Sequence, residues 1–578
     1  MPHRTTALLW RAFLAAALVC AVGLLPWLTR TDPALTVLKA RSAERDPDPE
    51  VLAAVRTQLG LDDGPLRLLG HWLGGLPRGD AGHSWISGAE VMPGVLQALG
   101  ASLLLMGAAA VVAVATAGLV CARTLRRGGR TAGRPGGTGS AVLAALPEFL
   151  TASVLATVVG VQFGWLPALG WYGPRWMVLP ALALGLPAGA VLGRLLDDLL
   201  PGAFAEPWVR AAAARGLPGR RIARQAVRRC LPGLLPNMGL FVVGLTGGAV
   251  AVEQIFDIPG LGRTTLQAAL AQDLPVLQAG TLALLLLAAV AAGLCHLAAR
   301  LLVGPALRAD ALPSLHRLST STARRTPPLV YGALLLGVVV LGLPRDPLAL
   351  DTALRLQHPT WAHPFGTDAL GRDLLARVAH GAVDTLLLAL AISAVALGTG
   401  VLLGLLPRLS GPLVDTVNAL PPVLAALLVT AVAGNGSATP ALAVAALAWT
   451  PLAAHTSALL HQERATLHVT ATRGLGAGRW HLLRHALLPA VLPPVTRHAL
   501  LRLPGVALAL ASLGFLGLGA QPPSPEWGLL LAENQPYAER APWAVLAPAA
   551  VLAVLGALAV TAAGSMQGAN ARRELAAR

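Results

Sequence analysis

The chain has 578 residues, 55% of them hydrophobic and only 12% charged, with a mean hydropathy of +0.64. A soluble fold of this length cannot bury that much apolar surface, so a bilayer is the expected solvent. The formal net charge of +16 lies in short arginine-bearing segments between apolar runs, without interleaved aromatic residues, which excludes a nucleic-acid groove in favour of a membrane face.

A hydrocarbon core about 30 Å thick needs about 20 apolar helical residues per crossing. Such runs fall at 8–28, 97–121, 140–161, 177–200, 232–252 and 280–303, then at 328–344, 384–406, 414–433, 440–460, 489–515 and 543–564. The fold class is therefore all-α: a polytopic membrane protein of about twelve transmembrane helices in two parallel six-helix halves. The first run has signal-peptide character, but Val19 precedes Cys20 and no clean A-x-A site follows, so it is expected as an uncleaved helix.

Arginines set the orientation. The segment with Arg123, Arg126, Arg127, Arg130 and Arg134, and the segment from Arg210 to Arg229, are expected in the cytoplasm, while residues 29–96 balance acid and base and are expected outside. Residues 305–327 carry Arg308, Arg317, Arg324 and Arg325 among Ser, Thr and Pro and read as a cytoplasmic linker. The expected domains are 1–304, the linker 305–327, and 328–578. Both termini are then cytoplasmic, and each half repeats one plan: a helix, a long outer segment, and five helices with a basic loop between the fourth and fifth. Such a parallel repeat places the pathway between the halves.

The basic loops carry the most information. One runs Val209-Arg210-Ala211-Ala212-Ala213-Ala214-Arg215-Gly216-Leu217, the other Val469-Thr470-Ala471-Thr472-Arg473-Gly474-Leu475-Gly476, with Pro489 thirteen residues past its glycine. A short helix, a glycine able to take positive φ, and a second helix make a helix-turn-helix. These loops resemble the EAA coupling loop of ABC importer permeases, and the resemblance implies docking on separate cytoplasmic ATPase subunits through Arg210, Ala211, Ala212, Arg215 and Gly216 and through Thr470, Ala471, Arg473, Gly476 and Pro489. Thr470 and Arg210 stand where that motif begins with an acidic residue, and Arg229 stands where the first half would have its proline.

Longer segments resemble the dipeptide, oligopeptide and nickel branch of that family, with B-type and C-type subunits fused. Leu59-Gly60-Leu61-Asp62-Asp63, Trp72-Leu73-Gly74-Gly75, Arg78-Gly79-Asp80 and Glu253-Gln254-Ile255-Phe256 through Pro259-Gly260-Leu261-Gly262-Arg263 look B-type. Phe365-Gly366-Thr367-Asp368-Ala369-Leu370-Gly371-Arg372-Asp373 and Phe515-Leu516-Gly517-Leu518-Gly519 through Gln521-Pro522-Pro523 to Trp527-Gly528 look C-type. The resemblance implies an importer permease for short peptides, nickel or related small solutes, with an extracytoplasmic substrate-binding protein as second partner. Gly366, Asp368, Arg372 and Asp373 form either a rigid outer element, with the charges pairing at near-helical spacing, or a gate or dock for the binding protein.

Glu148 and Glu253 lie within or beside apolar runs, where a carboxylate is costly unless paired, wetted or protonated, and are pathway candidates. The sole lysine, Lys39, follows Val37-Leu38 and belongs to no phosphate-binding loop, so no cofactor is expected in this chain and ATP with its magnesium belongs to the partners. Cys20, Cys121, Cys230 and Cys295 form no CxxC pair, and His481 and His485 read as surface residues, so no metal site is expected. A twelve-helix secondary transporter is the competing reading; it requires ion-coupling carboxylates and has no use for paired coupling loops.

Overall fold

The computed structural model describes most of residues 13–38, 48–128, 137–307, 326–406, parts of 411–417, and residues 422–433 and 438–576. Most of the expected linker and the outermost termini lie outside the described residues. Helix dominates the rest, and the only ladder pairings among the described residues are the isolated bridges His83 to Glu90 and Thr367 to Asp373.

After helical residues between 13 and 28, the elements are α1 (Pro49–Gln58), α2 (Pro65–Gly75), α3 (Val91–Arg127), α4 (Gly137–Ala145), α5 (Glu148–Leu155), α6 (Pro174–Ala205), α7 (Pro207–Ala214), α8 (Gly219–Ile255), α9 (Leu261–Leu270) and α10 (Leu274–Leu307). Beyond the linker come α11 (Thr326–Gly342), α12 (Leu374–Gly404), α13 (Pro422–Ala433), α14 (Thr439–Arg464), α15 (Leu467–Gly474), α16 (Arg479–Leu482), α17 (Leu488–Phe515), α18 (Trp527–Asn534) and α19 (Pro542–Ala576). Among the described residues seven helical stretches are long and apolar enough to cross a membrane: α3, α6, α12, α14, Arg479–Phe515, and the spans Leu274–Cys295 and Pro542–Ala562. This is a polytopic all-helical membrane protein.

Two expected crossings take a different form. The run 140–161 is not one helix: α4 ends at Ala145, α5 starts at Glu148, and the two parts are bent by 104°. Pro147 is the cause, since it has no amide to donate and drives the residue before it out of the helical region. The run 232–252, conversely, belongs to the 37-residue α8, which begins at Gly219 and carries the second arm of the first basic loop directly into the membrane segment.

The helices gather into two compact units, each drawing on both sides of the linker. One comprises Met1–Gln97, Thr264–Ala283 and Gly381–Leu529; the other comprises Ala98–Arg263, Leu284–His380 and Leu530–Arg578. Compactness therefore does not divide the chain at 305–327, where the sequence repeat divides it, because apolar faces choose their partners irrespective of chain order. In the second unit, α19 packs along α11 and crosses α4, with Gly556 set against the Ala145 carbonyl.

Small residues hold the core of each unit. On α6, Gly185, Gly189 and Gly193 recur every four residues and lie on α3, where added Cβ atoms would run into the backbone at Ala109, Ala113 and Ala117. The other unit makes the same type of joint with the glycines on the opposite partner, since Gly400 and Gly404 of α12 meet Leu452, Ala453 and Thr456 of α14. Without a hydrophobic drive between helices in lipid, this close approach supplies the dispersion contact that holds them.

Candidate functional site

Both basic loops fold as a short helix closed by a glycine in the left-handed region. After α7, Gly216 takes φ +74°, donating to the Ala213 carbonyl at 3.0 Å, and Leu217 donates to Ala212 at 3.1 Å. After α15, Gly476 takes φ +88°, donating to Arg473 at 3.0 Å, and Ala477 donates to Thr472 at 3.3 Å. The paired bonds spanning three and five residues are the Schellman arrangement, which satisfies carbonyls the helix end would otherwise orphan. Two segments 260 residues apart thus make one turn.

Apolar clusters fix each turn to its own unit. Ala212 is buried with Phe204, Ile222, Ala226 and Cys230, and Val469 is buried with Leu460, Leu482 and Leu487. Arg210, Ala211, Arg215 and Gly216 remain exposed, as do Thr470, Ala471, Arg473, Gly476 and Pro489. Arg229, at the place of the missing proline, has its Nε 2.7 Å from Glu206, the residue that opens α7, and so ties the arms of the loop together. The second loop also leaves large apolar side chains uncovered: Leu467 at the start of α15, Leu475 at the turn and Trp480 beyond it are 87%, 89% and 71% exposed, a feature with no signal in the sequence pattern.

A second constellation surrounds the start of α12. The Asp368 carboxylate accepts the amides of Leu370 and Arg372, both at 2.9 Å, and also Arg372 Nε at 2.7 Å and Arg377 Nη1 at 3.0 Å. Glu533 receives Arg377 at 2.8 Å and Arg372 at 3.2 Å, which closes a ring of two acids and two guanidiniums in which Arg377 is fully buried. Asp373 does not join that ring: Oδ1 accepts the Leu375 and Ala376 amides at the start of α12, and Oδ2 meets Arg345 at 2.7 Å and His363 at 3.1 Å. Gly366 and Gly371 take φ +76° and +78°, and a Cβ on Gly371 would strike the Asp351 carbonyl. The sequence presented Asp368 and Arg372 as a local pair; Arg377 and Glu533 carried no local signal, although Asp373 before an apolar run is a recognisable helix start.

The two pathway candidates are held differently. Glu253 is 1% exposed; it accepts Ser102 Oγ at 2.6 Å and the Arg263 amide at 2.9 Å, and rests against Gly260, while Leu261 donates to the same Ser102 at 2.8 Å. Its oxygens thereby organise the turn from α8 into α9. Glu148 opens α5 directly after the break and lies against Gly248 of α8, where an added Cβ would come within 2.9 Å of its carboxyl carbon. The cysteines are free, His481 and His485 stack with centroids 4.5 Å apart, and no group able to hold a metal ion occurs among the described residues.

The family described as "binding-protein-dependent transport system inner membrane component" matches the chain twice, over residues 115–308 and 392–573, which is more than half its length. The chain is 38% identical over 208 residues to the di/tripeptide transport system permease protein DppC of Pseudomonas aeruginosa, covering 34% of this chain and 69% of that protein. A chain of Escherichia coli named for D,D-dipeptide transport is 36% identical over 33% of this chain and 67% of its own length. A longer match, 30% identical over 47% of this chain and 90% of the relative, is to a Brucella abortus chain named for peptide transport. A duplicated family match, with a glycine-capped turn of the same geometry inside each matched region, sets aside the secondary-transporter alternative. The chain belongs to the family of inner-membrane permease components of ABC importers, and carries that family's domain twice in one polypeptide.

Proposed function

We propose that this chain is the complete translocation pathway of an ATP-driven importer of short peptides, coupled through both glycine-capped loops to separate cytoplasmic ATPase subunits and served outside by a substrate-binding protein. The paired turns carry the reading: two exposed tips of one geometry, each braced by its own apolar cluster, are what two docking contacts require. Exposed Leu467, Leu475 and Trp480 gain by being covered, since large apolar side chains left in water lose free energy that a docked partner restores. The first tip instead offers Arg210 and Arg215, so the two loops address different surfaces, either of two ATPase chains or of two faces of one dimer.

In this reading the arginine-bearing segments, both termini and the linker lie in the cytoplasm, and residues 305–327 join permease domains 1–304 and 328–578. The ring of Asp368, Arg372, Arg377 and Glu533 is outside, where it fixes a rigid platform for the binding protein. ATP and magnesium are held by the partner subunits. The peptide assignment follows the names of the three relatives, and nickel chelates are an alternative cargo. Proteoliposomes holding this chain, its co-expressed ATPases and its binding protein test the proposal. ATP hydrolysis should rise on adding a peptide that co-purifies with the binding protein; hydrolysis by the isolated chain, or no response from the full set, would overturn it.

A further inference from the structure

The geometry points to a binding site for the headgroup of an anionic phospholipid in the arginine-lined cavity between the end of α3 and the first loop. This cavity, about 810 Å³, is lined by Arg126 and Arg127 from the last turn of α3, Arg210 of α7 and Arg220 of α8, and no carboxylate lines it among the described residues. None of the four guanidiniums forms an ion pair among the described residues. Four like charges around one hollow repel one another, and an anion placed among them relieves that repulsion.

The rest of the lining decides which anion. Half-buried Leu125, Val209 and Ala223 present apolar surface to the same hollow, and a free inorganic anion would leave that surface wet. An amphiphile satisfies both parts, with its phosphate among the guanidiniums and its glycerol and upper acyl carbons on the apolar wall. The position agrees, because α3 holds an apolar window long enough to span the bilayer and ends in Arg126 and Arg127, which places the cavity where hydrocarbon gives way to headgroups. Basic pockets between helices at this depth suit lipid phosphates, and arginine binds phosphate with two parallel N–H bonds. Since Arg210 belongs both to the cavity and to the first loop, an occupying lipid would brace that loop against α3.

The test uses the full chain, purified without ATPases or binding protein, so its outcome is independent of the coupling proposal. Native mass spectrometry would follow retention of palmitoyl-oleoyl phosphatidylglycerol against the matching phosphatidylcholine. Phosphatidylglycerol should be retained preferentially, and the R126Q/R127Q double variant should bind it at least about tenfold more weakly. R300Q, which removes an exposed arginine outside the cavity, should bind it as the parent chain does. Circular dichroism and elution volume would confirm that the double variant is folded. Equal retention of the two lipids, unchanged affinity in R126Q/R127Q, an equal loss in R300Q, or glycerol phosphate binding as tightly as the whole lipid would each overturn the inference.

Discussion

Replacing Gly476 with valine puts a β-branched residue at φ +88°, a conformation that side chains of L-residues rarely adopt. An added Cβ would meet nothing within 4 Å, so the penalty is conformational and does not come from a clash. A residue forced to stay left-handed costs about 1–2 kcal/mol, and escape from that conformation gives up the two capping bonds, each worth about 1 kcal/mol net. Either route costs roughly 2 kcal/mol, about a thirtyfold shift away from the native turn. The apolar cluster around Val469 lies beneath the turn, so insertion and abundance should survive while the tip loses its geometry. In proteoliposomes, G476V should lose most transport and the substrate response of ATP hydrolysis. G476N should keep most of both, since asparagine tolerates the left-handed region, and G478A, at φ −68°, should behave as wild type. G216V should be the milder of the paired variants, because Arg229 and Glu206 still join the arms of its loop. Wild-type transport by G476V, or equal damage from G476N, would refute this reasoning.

Three further outcomes are expected. Asp368→Asn strips charge from a ring that contains fully buried Arg377, so local stability around residues 345–377 should fall by about 3–5 kcal/mol, read as lost hydrogen-exchange protection. Glu526 sits against Gly514, and burial pushes its carboxyl up from its ordinary 4.5 to about 7, although the Gly528 and Leu529 amides, which favour the ionised form, oppose the rise. The folded state therefore holds a proton that the unfolded state releases between about pH 4.5 and 7, so stability falls as pH rises through that window, and Glu526→Gln should remove the slope in thermal denaturation. Gly189→Val overpacks the α3–α6 joint, which should cost about 1–3 kcal/mol and lower abundance in the membrane, whereas Gly107→Val, with open space at its Cβ, should not.

Much of this architecture was legible because it is written locally. Apolar runs mark crossings by length alone, Gly216 and Gly476 each follow a short helical stretch in a basic loop, and Asp368 and Arg372 are four residues apart, although the segment that pairs them is a tight turn and not a helix. Other features depend on partners distant in sequence. Arg377 meets Glu533 across 156 residues, and Glu253 meets Ser102 across 151, so neither pairing could be read from its neighbourhood. The drawing of each compact unit from both sides of the linker depends on which apolar faces fit, a property of three-dimensional shape that periodicity does not encode. The break at Leu146–Pro147 and the four-residue spacing of Gly185, Gly189 and Gly193 were readable in principle. Hydropathy averaging concealed the first, and the second had no meaning until α3 was seen lying against α6.

The central claim is that both glycine-capped loops touch ATPase subunits, and site-specific photo-cross-linking tests it most directly. A photoreactive residue placed at exposed Ala211 or Ala471, in chain co-expressed with its ATPases, should give an ATPase adduct from each position. A probe at Trp361, which is fully exposed and lies between α11 and α12 in the segment that the proposed orientation places outside, should give none. Adducts from Trp361 with silence at both loop positions would contradict the account.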